Sequence, residues 1–192
     1  MTGVDLAHPV HMPVQIGAKS HSFSDPTALL SDCHRRIEMF LGSLERVASL
    51  IDKPLTDDAR SALESALRYF REAAPKHTAD EEESLFPRMR KLSDPDTRSA
   101  LSRLDALEDD HRRADSLHAE IDTLGRRCLE QAHLSAAETQ RFRQAVAELA
   151  SIYEGHIQIE DQAVFPVAAG KLSEVEKAAI ASEMAERRNL RS

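Results

Sequence analysis

Two stretches of the chain repeat one pattern of His, Glu, Phe and Pro: His77-Thr-Ala-Asp-Glu81-Glu-Glu-Ser-Leu-Phe86-Pro87 and His156-Ile-Gln-Ile-Glu160-Asp-Gln-Ala-Val-Phe165-Pro166, with every matched position 79 residues apart. His34 and His111, each ahead of its own half's motif, stand 77 residues apart. The pattern reads as a duplicated helical hairpin, each half giving one His from one helix and a His-x-x-x-Glu from the next. Residues four apart lie on one helix face with Cβ atoms about 6 Å apart. His77 with Glu81, and His156 with Glu160, can therefore each grip a metal position.

Apolar periodicity supplies the helices that carry these residues. Ser24-Asp25-Pro26 offers a cap and a first-turn proline, after which Leu30, His34, Ile37, Leu41 and Leu44 share one stripe of a helix running to about Ile51. Thr56 with Asp57 and Asp58 opens a second helix, whose inward stripe is Leu63, Leu67, Phe70, Ala74, His77, Glu81 and Leu85, bent by Pro75 and Pro87. Ser93-Asp94-Pro95 predicts the start of a third, with Leu104, Leu107, His111, Ala114, His118 and Ile121 inward and an end near Glu130. Ser135 and Glu138 have capping-box spacing before a fourth stripe of Val146, Leu149, Tyr153, His156, Glu160 and Val164, which Gly170 is expected to stop. A second box, Ser173 to Glu176, starts a short helix to about Arg188, expected to cover the outside. The predicted fold is all-α: an up-down-up-down four-helix bundle over residues 24–172, an N-terminal arm over 1–23, and a C-terminal helix over 173–192 packed on the bundle.

Composition agrees. Hydrophobic residues make up 41% and aromatics only 4%, with six glycines and no Trp, a helical rather than sheet-like balance. The formal charge of −8, with no uninterrupted basic run, argues against nucleic-acid binding. Cys33 and Cys128 are too few for a disulfide framework and read as reduced thiols of a cytoplasmic protein. Met1 to Ser22 lacks the basic start and apolar run of a secretory signal, and no segment has the ~18 consecutive apolar residues of a membrane span. The sequence sets no oligomeric state.

All six repeat residues, His34, His77, Glu81, His111, His156 and Glu160, fall on inward stripes. Each unpartnered polar group there would cost roughly 1–3 kcal/mol or more. A two-metal centre satisfies them, with two His on each ion and two carboxylates bridging ions about 3.5–4 Å apart. Four neutral imidazoles and two carboxylates leave net positive charge on two divalent ions, which favours a bridging oxide or hydroxide and leaves room for a small ligand. Manganese and zinc suit such ligands as well as iron does.

The order His, His-x-x-x-Glu, His, His-x-x-x-Glu, with Phe-Pro after each Glu, resembles the hemerythrin-like, HHE cation-binding domains over about Asp25 to Leu172. The resemblance implies an antiparallel four-helix bundle holding a non-haem, oxo-bridged di-iron centre. The family is linked to oxygen binding, nitric oxide or peroxide chemistry, iron sensing and iron-sulfur repair. Oxygen-carrying members use five His, two of them four apart on the third helix, where this chain has His111 followed by Asp115. Their last carboxylate is an Asp five residues after its His; Asp161 sits at that offset, but the internal repeat favours Glu160. Repair relatives carry an N-terminal module with paired cysteines that the arm does not supply. The expected function is a di-iron protein binding or reacting with O2, peroxide or nitric oxide; the alternatives are an oxygen or iron sensor without turnover, an oxygen carrier, or a repair relative.

Other residues receive plainer readings. His118 is about 10.5 Å along the helix from His111 and suits core packing or an access path. Tyr153, one turn before His156, is either an ordinary buried tyrosine or a hydrogen-bond donor to a small species at the centre. Cys33 points about 100° away from His34. His8, His11 and His21 belong to the arm. Of the acidic run Asp80 to Glu83 only Glu81 is expected inward, the others facing solvent or orienting ligands. Phe86-Pro87 and Phe165-Pro166 are read as apolar plugs and bends.

Overall fold

In the computed structural model residues 25–190 are described; the expected N-terminal arm, with His8, His11 and His21, lies outside them. The described residues are helical, with no strand among them. In chain order they form α1 (Pro26–Leu50), α2 (Asp57–Glu72), α3 (Ala74–Ala79), a π-helical turn (Asp80–Leu85), α4 (Phe86–Met89), a 3-10 turn (Pro95–Thr97) and α5 (Arg98–Leu101). α6 (Leu104–Gln131), α7 (Ala136–Ile159), a second π-helical turn (Glu160–Val164), α8 (Phe165–Lys171) and α9 (Glu174–Arg187) follow.

Local chemistry sets the starts. The Asp25 carboxylate accepts from the Ala28 N–H, with Pro26 in the first turn, and the Thr56 hydroxyl accepts from Ala59. Ser135 with Glu138 and Ser173 with Glu176 both close capping boxes. Each cap is worth about 1 kcal/mol. α6 stops at Ala132, whose φ of 61° is left-handed, a conformation that crowds a Cβ. Ala132→Gly is expected to stabilise the fold by about 0.5–1 kcal/mol, read as a higher midpoint in chemical denaturation; an unchanged or lower midpoint would contradict this.

Three expectations change. The third helix does not start at Asp94: that residue caps only the 3-10 turn, α5 ends at Leu101, and the long helix begins at Leu104. The fourth segment runs past Gly170 to Lys171 and ends because Leu172 turns extended to feed the Ser173 cap. The prolines act through wider devices than simple bends. Pro75 follows a break at Ala73, and Pro87 and Pro166 each lie just past a π turn. In those turns the Phe86 N–H reaches the Glu81 carbonyl and the Phe165 N–H reaches that of Glu160. A proline has no N–H to offer the ladder, and the widened turn absorbs the irregularity where π-helical turns often serve a site.

α1 packs on α2 and α7, α6 packs on the same two helices, and α9 lies against α1 and the first π turn. At Gly125, α6 comes so near α2 that a Cβ would sit 2.9 Å from Leu67 Cδ1. One apolar cluster includes Ile37, Leu44, Leu63, Phe70, Ile121, Phe142 and Leu149. A second gathers Leu30, Leu85, Phe86, Met89, Leu104, Phe165, Ile180 and Met184. His34 falls between Leu30 and Ile37 along α1, and His111 between Leu107 and Ala114 along α6, so a polar layer lies between two apolar ones.

Candidate metal centre

That layer holds all six residues of the repeat. α1 supplies His34, α3 His77, α6 His111 and α7 His156, and the two π turns supply Glu81 and Glu160. Both glutamates are 0% exposed, as is His34, and the other three histidines are buried. His34 Nε2 lies 3.1 Å from Glu160 Oε2 and 3.9 Å from Glu81 Oε1. His77 Nε2 is 3.3 Å from Glu81 Oε1, and His111 Nε2 is 3.3 Å from Glu81 Oε2. His156 Nε2 is 3.1 Å from Glu160 Oε2 and 3.1 Å from His111 Nε2.

These atoms form two groups that could hold a metal ion: His34, His77, Glu81 and Glu160, and His111, His156, Glu81 and Glu160, with the ligand atoms of each group within 4.8 Å of one another. Both glutamates belong to both groups. All four carboxylate oxygens, together with His34 Nε2, His77 Nδ1 and His156 Nδ1, are buried without a hydrogen-bond partner. Folded interiors rarely tolerate so many orphaned polar atoms in one place. Cations fit this donor set, because neutral imidazole and carboxylate are the ligand types that divalent metals take.

Buried side by side, these groups shift one another's protonation. Burial raises Glu81 well above the usual carboxylate range, and the charge of Glu160 adds to the effect. Burial pushes Glu160 upward too, but His156 and His34 hold it low. His77 is driven down by burial and then by the neighbouring His34 charge. Burial also opposes a charge on His34, yet its hydrogen bond to Asp161 and the nearby glutamates raise it to about 9.

Two further carboxylates orient the imidazoles, and they cross between halves. Asp161, next to Glu160, accepts from His34 Nδ1 at 2.9 Å and is itself held by Ser31 (2.8 Å) and Arg35 (2.5 Å). Glu82, next to Glu81, accepts from His111 Nδ1 at 2.8 Å. Since an ionised carboxylate can only accept, each Nδ1 donates, and each Nε2 is left to face the centre. Phe165 stacks on His34 with centroids 5.2 Å apart and Phe86 lies nearly parallel to His111 at 6.4 Å, so both act as the expected apolar plugs.

Asp80 departs from expectation. The sequence predicts that only Glu81 of the acidic run turns inward, but Asp80 is also 0% exposed and pairs with Arg187 (3.0 Å) and Arg188 (2.6 Å). The repeat carried a signal, because the matching residue is the apolar Ile159. Asp115, four residues after His111, has a side chain 65% exposed and stays outside the centre.

The Tyr153 ring meets His156 edge-on at 6.3 Å, while its hydroxyl lies 3.4 Å from His118 Nε2. His118 stacks on Phe70, and burial lowers its pKa from 6.5 to about 4. The unfolded chain takes up this proton near pH 6.5 and the folded chain only near 4. Stability is therefore complete above 6.5 and declines as pH falls through that window, by up to about 3 kcal/mol. His118→Gln is expected to flatten the fall in melting temperature between pH 7 and 4.5, and an identical pH slope in the two proteins would refute this.

The family model for the hemerythrin HHE cation binding domain matches residues 25–168. The match takes in well over half of the chain, which therefore belongs to that family. A curated relative, an uncharacterized protein of Haemophilus influenzae, is 29% identical over 85 residues, a match covering 44% of this chain and 49% of the relative. The chain thus spans about half the length of that relative. No solved structure matches the chain. No helix among the described residues is long and apolar enough to cross a membrane.

Proposed function

We propose that the protein binds two iron ions, one between His34 and His77 and one between His111 and His156, with Glu81 and Glu160 serving both. We further propose that this centre binds or reacts with a small oxygen or nitrogen species such as O2, peroxide or nitric oxide. The observation that carries the reading is that the two candidate groups have Glu81 and Glu160 in common, as a pair of carboxylate-linked ions requires. Iron, when bound, supplies a change between ferrous and ferric states and a position for a small ligand.

The chain's own part is organisational. Asp161 and Glu82 fix two imidazoles, and Phe86 and Phe165 keep water from their faces. The four long segments are taken as an up-down-up-down antiparallel bundle, in keeping with short links between α1 and α2 and between α6 and α7. Buried free thiols at Cys33 and Cys128 suit a reducing, cytoplasmic setting.

The test is metal analysis joined to visible spectra of protein loaded with ferrous iron without oxygen, then exposed in turn to air, peroxide and nitric oxide. Two irons per chain and absorption that responds to at least one of these agents are expected. Fewer than two irons, or iron that responds to none of them, would overturn the proposal. Oxygen release from peroxide that Glu81→Ala and Glu160→Ala abolish would assign turnover.

A further inference from the structure

The two π turns that carry the shared glutamates are anchored differently. Neither oxygen of Glu81 has a hydrogen-bond partner; apart from the His77 and His111 imidazoles 3.3 Å away, the backbone of the turn sets the direction of its carboxylate. The second turn is tied to α1, where Asp161 meets Ser31, His34 and Arg35. The first turn is tied instead to α9. Arg187 Nη1 donates to Asp80 Oδ1 (3.0 Å) and Ser84 Oγ (2.9 Å), its Nη2 meets Glu83 (3.0 Å), and Arg188 Nη2 takes the other Asp80 oxygen at 2.6 Å.

Two guanidiniums thus hold three side chains of the short turn that carries Glu81. Arg188 also places its charge beside Cys33, the residue before His34. α9 is seated for this by the buried Ile180 and Met184 and by a two-pronged contact of Arg88 with Glu183. α9 begins at Glu174, beyond the residues 25–168 that the family model covers. The second half needs no such contact, because Ile159 replaces Asp80 in the repeat.

We infer that α9 is a strut of the metal centre: Arg187 and Arg188, by pairing with the buried Asp80, are positioning residues that aim Glu81 between the two His pairs and so set metal affinity. The inference rests on the two-metal reading above and extends the site beyond the residues that the family model matches. Removing both guanidiniums leaves the buried Asp80 carboxylate uncompensated; the turn relieves this by shifting, and Glu81, the next residue, shifts with its backbone.

The test uses the full chain, freed of metal and titrated with Co2+ alone, following the visible cobalt bands and competition with a chelator. Wild type is expected to take up two Co2+. Arg187→Ala with Arg188→Ala is expected to weaken binding by about 10- to 100-fold, the usual range for partners outside the ligand set, and to alter the cobalt spectrum. Arg187→Lys with Arg188→Lys keeps the charge that lets Asp80 stay buried, and is expected to fold and to show a smaller shift in the same direction. If a folded Ala-pair or Lys-pair variant binds two Co2+ with unchanged affinity and spectrum, the strut is overturned while the two-metal reading stands. If wild type takes up no Co2+, both fall.

Discussion

Replacing Glu81 with Gln is expected to release both metal ions, whereas replacing His34 or His77 with Ala is expected to cost mainly one. The difference follows from membership: Glu81 and Glu160 belong to both candidate groups, and each histidine to one. Metal per chain should fall from two to near zero in Glu81→Gln, with affinity reduced by more than about 100-fold, since a lost ligand outweighs the loss of an outer partner. The metal-free variant should melt no lower than metal-free wild type, because burial and the Glu160 charge already favour the neutral acid at Glu81 when no cation is present. Elemental analysis and melting curves with and without metal check both halves of this. A folded Glu81→Gln protein that keeps two ions would remove the basis for a shared bridge.

Chelation is expected to have the largest effect on stability. Each site held at a thousandfold excess of free metal over its dissociation constant adds about 4 kcal/mol, and a domain of this size gains about 2–4 °C per kcal/mol. Two sites together should raise the melting temperature by roughly 15–30 °C. The orphaned oxygens and nitrogens of the candidate centre are the physical source, since bound cations would satisfy them. Protons compete for the same atoms. His34 in the metal-free protein holds its proton up to about pH 9, so metal must displace it, and a chelator should strip the protein more readily as pH falls from 9. A melting temperature that moves by only a degree or two on chelation, at any pH, would show that metal does not stabilise the buried carboxylates.

Much of the candidate site was legible because helical periodicity and duplication are local properties of the chain. The four-residue spacing places each His and Glu on one face, and stripes such as Leu30, His34, Ile37 and Leu41 mark that face as inward. The residues that start the helices were also legible, Ser135 with Glu138 and Ser173 with Glu176 among them, because a cap and its recipient N–H lie within one turn. Less legible was the late start of α6: the Asp94 cap is real, but it serves a 3-10 turn, and the chain breaks again before Leu104. The π turns were hidden behind Pro87 and Pro166, whose presence signals an irregularity without saying which kind.

The order of residues alone determined that four imidazoles and two carboxylates would face inward from four helical segments, since burial of an amphipathic stripe leaves them no other direction. Only the tertiary structure decided which histidines share a group, that Asp161 and Glu82 brace imidazoles of the opposite half, and that Asp80 is buried under Arg187 and Arg188. Each of those outcomes depends on partners far apart in the chain, Asp80 and Arg188 being separated by 108 residues. Their meeting is fixed by how the helices dock, which no local spacing encodes.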